Sequence, residues 1–478
     1  MKSRSQLAMG TALALFLSPS SLAAQTIDAA EAAELRAQIA ALKAQVERLE
    51  ARLDKAPASA PAAAIAPGGT TPGTPASGPA SGAAPQVAAA KNAAPETSIA
   101  WKGSPVFSNG SASFKVKGRI QYDAGVLMAP ASVKDRSKGY ANELRRLRLG
   151  GEGVLGGGFG YKLETELSDN AVDLVDTYIT YERGKLLLTL GNQNEFQSLD
   201  ELIGDTTGST MERAAFTDAF GFERRLGLSA QYRSGMLLAQ AGVFSDSADS
   251  LLNSADGPNG GDENNSYGVD GRIVLAPKIG KTQLHFGVSG HWRDFNRLAE
   301  TPQRYRQRPY LHTSNSRFLA TPSFSADGES HYGLELAGTR GALHWAGEAH
   351  WLTVSRPGDL ANPTFFGAYA EVGYFLTGET RSYKNGIFVS TKPKRPVGSG
   401  GIGAVQVNLR YDYLDMNDKG IVGGTQNAFV AAVIWTPIEF LRFNLNYGHI
   451  DYTDAAILAG ARSDYGVNVL GARAELDF

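Results

Sequence analysis

The chain has 478 residues, 55 glycines, 21 prolines, no cysteine and a formal net charge of −2. The near-neutral balance removes any argument for general nucleic-acid binding, which would show as a strong basic excess. The missing cysteines exclude disulfide scaffolds, thiolate metal sites and cysteine nucleophiles. Mean hydropathy is −0.21, and past the N-terminal apolar segment no run approaches the roughly 18 residues of a membrane-spanning helix. One membrane architecture escapes that test, the β-barrel.

Lys2 and Arg4 precede an apolar run, Leu7 to Leu17, with small residues around Ala23 and Ala24. Residues 1–24 are therefore predicted to be a secretory signal. Leu35, Ile39, Leu42, Val46, Leu49 and Leu53 follow at alternating spacings of four and three, a heptad seam that predicts a coiled coil over 25–55. About three heptads are marginal by themselves, so an accessory oligomerisation role is expected. Residues 56–100 are rich in Ala, Pro, Gly and Ser and read as a linker.

From 101 to 478 the texture changes to a period of two. Phe114, Val116, Ile120 and Tyr122 alternate with Lys115, Lys117, Arg119 and Gln121. Leu226, Leu228, Ala230 and Tyr232 face Leu237, Ala239, Ala241 and Val243 across a predicted hairpin. Val405 to Tyr413 alternate with Gln406, Asn408, Arg410 and Asp412, and Leu470 to Phe478 close the series. Such alternation marks half-buried antiparallel strands. About sixteen of them, with unequal loops, suit an all-β transmembrane antiparallel barrel. A soluble sandwich or propeller fits less well, because the polar parity carries ion after ion and no second apolar sheet is left over. Aromatic residues at strand ends (Tyr181, Tyr232, Trp292, Trp351, Tyr383, Tyr413, Trp435, Tyr447) suggest interfacial girdles. Phe478, ending an alternating strand, resembles a signal for barrel-insertion machinery.

Several stretches are similar to the phosphate- and polyphosphate-selective outer-membrane porin family: Arg145–Gly150, Tyr161–Glu164, Asp176–Ile179, Leu190 through Asp200, and Met211-Glu212-Arg213. Phe375–Glu379 with Arg381 and Tyr383, Arg410–Asp415 and Asn446–His449 continue the series. Each is degenerate; their order from Lys115 to Phe478 carries the resemblance. It implies a homotrimeric channel in the bacterial outer membrane, with a loop folded into the pore at Gln193 to Glu223. Asn194, Glu195, Asp200, Glu212 and Arg213 are then pore-loop candidates. Asn194 stands where the family pattern places a lysine.

Lys115, Lys117, Arg119, Arg146, Arg148, Arg224, Arg225, Arg410 and Arg442 are expected to line the lumen. A row of cations lowers the barrier for anions, and arginine offers bidentate contacts to oxyanions. The alternative is that these cations pair with Glu152, Glu164, Glu166 and Asp176 and stabilise a wet wall. Two GxGxxG matches, at Gly151–Gly156 and Gly398–Gly403, lack the strand-before, helix-after context of a nucleotide site and read as turns. His344, Glu348 and His350 share a strand face but spread along it, a poor zinc cage. No catalytic group, cofactor or metal site is expected. The function expected is passive diffusion of small solutes, anions such as phosphate first, with membrane lipid as the surroundings. A peptidoglycan tether acting through the coiled coil, with the barrel only an anchor, is the alternative; a barrel-borne hydrolase is a weaker one.

Overall fold

The computed structural model describes residues 97–168, 171–248, 266–296 and 302–478. The predicted signal and coiled coil, and the linker up to residue 96, lie outside them. Residues 97–100, expected at the linker's end, belong to a strand, Thr97–Trp101, that pairs with Pro105–Asn109, which in turn pairs with the start of the barrel.

Sixteen strands build the barrel. They are β1 Ala112–Met128, β2 Gly139–Gly156, β3 Phe159–Glu166, β4 Asp173–Arg183, β5 Leu186–Asn194, β6 Arg224–Ser234, β7 Leu237–Phe244 and β8 Tyr267–Leu275. The ring continues with β9 Thr282–Asp294, β10 Gly328–Arg340, β11 Leu343–Ser355, β12 Thr364–Phe375, β13 Ala404–Asp418, β14 Ile421–Ile438, β15 Leu441–Thr453 and β16 Tyr465–Asp477. Each pairs antiparallel with the next, and β16 closes on β1 from Asn468 opposite Met128 to Asp477 opposite Arg119. Phe478 extends this seam: its amide donates to the Gly118 carbonyl at 3.0 Å and its carbonyl accepts from Gly118 at 3.1 Å. The predicted hairpin is observed, with Leu228 opposite Val243, Ala230 opposite Ala241 and Tyr232 opposite Ala239.

Short connections (157–158, 184–185, 235–236, 341–342, 439–440) gather at one end, and the long ones (129–138, 195–223, 295–327) at the other. In outer-membrane barrels short turns face the periplasm and long loops the exterior. Gly156, Gly157 and Gly158 all have positive φ, the conformation a tight β2–β3 reversal requires. Two connections break the pattern: the two-residue turn 419–420 lies at the loop end, and residues 376–403, at the turn end, carry a small hairpin, Ser382–Lys384 with Ile387–Val389.

Strand parity sorts the side chains. Leu228, Ile273, Leu334, Leu409, Phe429 and Leu445 stand exposed on the outer face, whereas Gln121, Asp123, Asn408, Arg410 and Asp412 are buried inside. The interior is not polar throughout. Towards the loop end the inward positions turn apolar, with Leu352, Val354, Leu414, Met416, Ile450 and Val467 buried. The connection after β9 folds back over them: Phe318 stacks on Tyr452 at 5.1 Å, and Gln426 Nε2 donates to the Tyr310 hydroxyl at 2.7 Å. Tyr383 departs from the girdle expected of it. The 376–403 connection enters the lumen, and the Tyr383 hydroxyl lies 2.6 Å from His285 Nδ1. Its neighbour Arg272 donates to the Gly386 carbonyl at 3.0 Å.

Close strand packing yields a stability prediction. A Cβ on Gly150 would collide with the Leu163 carbonyl and come within 2.9 Å of Glu164 Cα. Gly150→Val is expected to cost ~1–3 kcal/mol, read as a lower denaturation midpoint. Gly271→Ala, whose Cβ meets the Gln240 carbonyl at 3.9 Å, is expected to leave that midpoint unchanged.

Candidate pore constriction

The 195–223 connection leaves β5 at Asn194, which pairs in register with Arg224 of β6. Asn194 is thus the last residue of the strand, and the loop begins at Glu195. Two short helices form in the loop, α1 Leu199–Leu202 and α2 Ala215–Ala219. Ser198 caps α1, its hydroxyl accepting from the Glu201 amide at 3.2 Å. The Glu348 carboxylate on β11 accepts from the Leu199 and Asp200 amides at 2.9 and 2.7 Å. An anion suits these otherwise unpaired N-terminal amides. Asp412 holds α2 in the same way, accepting from the Ala215 amide at 3.0 Å. Phe216 is fully buried and stacks on His350 with centroids 4.4 Å apart. The loop is therefore seated against the opposite wall by backbone donors and one aromatic anchor.

The far end of α1 is closed by Arg213. Its guanidinium donates to the carbonyls of Asp200, Glu201 and Ile203 at 3.0, 3.0 and 3.1 Å. It also pairs with Asp205 at 3.0 Å and Glu201 at 3.3 Å. Asp205 is the focus of the wall arginines. Arg119, Arg146 and Arg148 reach it at 3.2, 3.2 and 3.4 Å. Burial opposes its charge, but Arg146, Arg213, Arg148 and Arg119 hold the carboxyl well below the usual carboxylate range. Glu212 bonds Arg473, which donates to Asp123 at 2.7 Å.

The remaining basic candidates are placed as follows. Arg224 pairs with Asp176 at 2.5 Å, and Arg225 with Glu223 at 2.7 Å and Glu195 at 3.1 Å. Arg410 bridges Glu371 at 2.6 Å and Asp200 at 3.1 Å. Arg442 pairs with Glu475 at 3.3 Å, and Lys117 approaches Glu152 only to 3.8 Å. Lys115 has no ion pair among the described residues. Eight of the nine cations thus form an acid-paired lattice, Lys115 standing apart, and only Arg119, Arg146 and Arg148 converge. Asp205, Arg473 and Arg381 belong to this lattice and were not among the expected site residues. Arg381 donates to Ser209 Oγ at 2.5 Å and to the Thr207 carbonyl at 3.1 Å, so the turn-end connection braces the pore loop. Its motif was visible in the sequence; its inward course was not.

Three cavities adjoin along this loop. The first, about 270 Å³, lies towards the loop end among Arg145, Arg146, Glu212, Arg213, Arg308 and Tyr310. The second, about 30 Å³, shares Arg146, Glu212 and Arg213 and adds Asp205, Gly208 and Arg473. The third, about 50 Å³, continues at Thr206 and Thr207 towards the turn end, beside Arg381, Arg442 and Glu475. The smallest of the three sits where the arginines and acids meet.

A closed barrel with an apolar outer face and a charged, loop-narrowed interior defines an outer-membrane porin-type protein. Residues 114–478 match the family model described as phosphate-selective porin O and P, and the chain belongs to that family. An uncharacterised protein of Caulobacter vibrioides is 56% identical over 465 residues, covering 97% of this chain and 94% of its own. Among solved structures, OmpT, an outer membrane protein of Vibrio cholerae, aligns with 78% of this chain and 99% of its own at 10% identity and a TM-score of 0.49. OprB of Pseudomonas putida aligns with 76% and 94% at 11% identity and a TM-score of 0.47. The family assignment rests on the family model. It places the protein in the bacterial outer membrane, in a family of channels and not of enzymes.

The loop carries a pH signature. Burial, offset only in part by Arg213, pushes the Glu201 carboxyl up to about 7. Its charge is disfavoured in the folded loop, so its contribution is most favourable below the ordinary carboxylate range and declines as pH rises towards 7. Glu201→Gln is expected to raise the thermal midpoint at pH 8 and to leave it unchanged at pH 4; equal shifts at both would contradict this.

Proposed function

We propose that this protein is a passive outer-membrane channel for small anionic solutes, phosphate among them. The observation that carries the reading is the set of three cavities along the loop, whose smallest member is bordered by Arg146, Arg213 and Arg473. An anion moving along this path meets guanidinium N–H groups in succession, each able to replace part of its water shell. Asp205, Asp200 and Glu212 line the same cavity, so three carboxylates balance its three arginines. Conduction needs binding strong enough to admit a solute and weak enough to release it, and an arginine cluster whose charge is balanced by carboxylates, yet whose N–H groups border the cavity, suits both conditions. Movement follows the concentration gradient, and no energy source enters the scheme.

The working assembly in this reading is a homotrimer, supported by the family resemblance, with the heptad seam in 25–55 as an accessory oligomerisation element also able to contact peptidoglycan. Native mass spectrometry of the full chain yielding only monomer would remove the trimer. Reversal potentials across planar bilayers in a KCl gradient test the channel itself. Modest anion preference is expected, with phosphate reducing the chloride current; clear cation selectivity would overturn the reading. Asp205→Asn frees the arginines from one counter-charge and should raise the anion-to-cation permeability ratio about fivefold, equivalent to ~1 kcal/mol. An unchanged ratio would remove this cluster from the path.

A further inference from the structure

β8, β9 and β10 lie side by side, and their registers place Asp270 opposite His291 and His291 opposite His331. Glu329 stands two residues from His331 on the same face. All four side chains are buried, and the two imidazole rings meet edge to face with centroids 4.9 Å apart. Asp270 Oδ1 lies 2.5 Å from His291 Nδ1. With its proton on Nδ1, facing that carboxylate, a neutral ring keeps the Nε2 lone pair; Gln197 Nε2 lies 3.1 Å from the same Nδ1. His291 Nε2 has no hydrogen-bond partner and lies 3.8 Å from Glu329 Oε1. Neither ring nitrogen of His331 has a hydrogen-bond partner, and its Nε2 lies 3.8 Å from Glu329 Oε2. The Tyr305 hydroxyl donates to Glu329 Oε2 at 2.9 Å.

Unpartnered imidazole nitrogens in a buried acidic setting call for a cation. Arg225 pairs with Glu195 at 3.1 Å, and Arg293 lies 2.8 Å from Asp246 and 3.9 Å from Glu329. Counting Asp270 as well, four buried carboxylates face two guanidiniums, with the exposed Glu223 a further partner of Arg225. With neutral imidazoles, two negative charges remain, the charge of one divalent ion. The carboxylate behind His291 and the tyrosine behind Glu329 are the kind of supporting partners that orient metal ligands.

We propose that His291 Nε2, His331 and Glu329 bind a divalent transition-metal ion of the zinc class, with a fourth position left for water. The ligand atoms lie within 4.8 Å of one another. Bonds of about 2.0–2.2 Å imply ligand separations of about 3.4 Å, so the ion draws the three side chains together by up to about an ångström. Phe222 borders the cavity of about 270 Å³ and stands 5.4 Å from the His331 ring, so rotation of that ring opens a route from the lumen. An ion held there pins β9 to β10 beside Glu195, the root of the pore loop.

The test uses the full-length, tag-free protein in detergent, stripped with EDTA and titrated with ZnCl₂ by calorimetry, with bound metal counted by mass spectrometry. One zinc per chain is expected, with a Kd in the micromolar range or tighter. His331→Gln and His291→Gln should each weaken binding at least 100-fold. Asp270→Asn should weaken it about 10- to 100-fold, and His344→Gln should leave it unchanged. Because a buried-histidine variant can fail to fold, X-ray absorption of Co²⁺-loaded unsubstituted protein gives a second readout, with two imidazole nitrogens expected in the first shell. No zinc bound, binding indifferent to His331→Gln, or an all-oxygen cobalt shell would each overturn the proposal.

Discussion

Hydrocarbon offers no hydrogen bonds, so each strand amide that faces lipid must be paired within the protein. The seam between β16 and β1, running from Asn468–Met128 to Asp477–Arg119, meets that demand by removing the last free edges. Everything else depends on this closure. Once the ring is shut, strand parity has two destinations, lipid and interior, and no side chain can change sides without a register slip. Leu409 and Phe429 must face outward because Arg410 and Val430 face in. The bulge between Asp415 and Asn417 lies near the loop end of its strand, where a local change of pairing disturbs least.

Closure also creates the interior's electrostatic problem. Three connections, 195–223, 302–327 and 376–403, enter the barrel and displace water from it. Charges on the inward parity then lose solvent and need partners. Arg410, nearly fully buried, satisfies this between Asp200 and Glu371 while its guanidinium lies 4.4 Å over the Tyr369 ring. Removing one partner from such a pair leaves an uncompensated charge, which costs ~3–5 kcal/mol. The lattice that fixes the pore loop is therefore the same lattice that sets the field along the cavities. Stability and selectivity cannot be tuned independently at Asp205, because four arginines use it at once.

The three inward segments are held by different forces. The pore loop is seated by backbone amides on Glu348 and Asp412 and by arginine on its carbonyls. The 302–327 segment is held mainly by apolar contact, with Phe318 and Leu319 fully buried. The turn-end connection relies on Arg381 and on Phe388, whose ring lies 4.1 Å under that guanidinium. Polar seating is specific in register and sensitive to charge; apolar seating tolerates substitution of similar volume. These are separable handles on one interior.

Strand number, parity and the outward faces were legible in the sequence, because a period of two is a local property that the polypeptide carries whatever it packs against. The loop at Gln193 to Glu223 was legible only through the family resemblance. Even the apolar inner floor was written at Leu352, Met416 and Ile450, on the polar parity, though it acquires meaning only with a segment to cover it. What the sequence could not supply were distances across the ring. Asp205 gathers Arg119, Arg146 and Arg148 from two strands, and His291 meets His331 from a strand forty residues on. Such meetings depend on inter-strand register and on how loops turn inward. Only the closed tertiary structure decided them, because closure brings positions remote in the chain to within a few ångströms of one another.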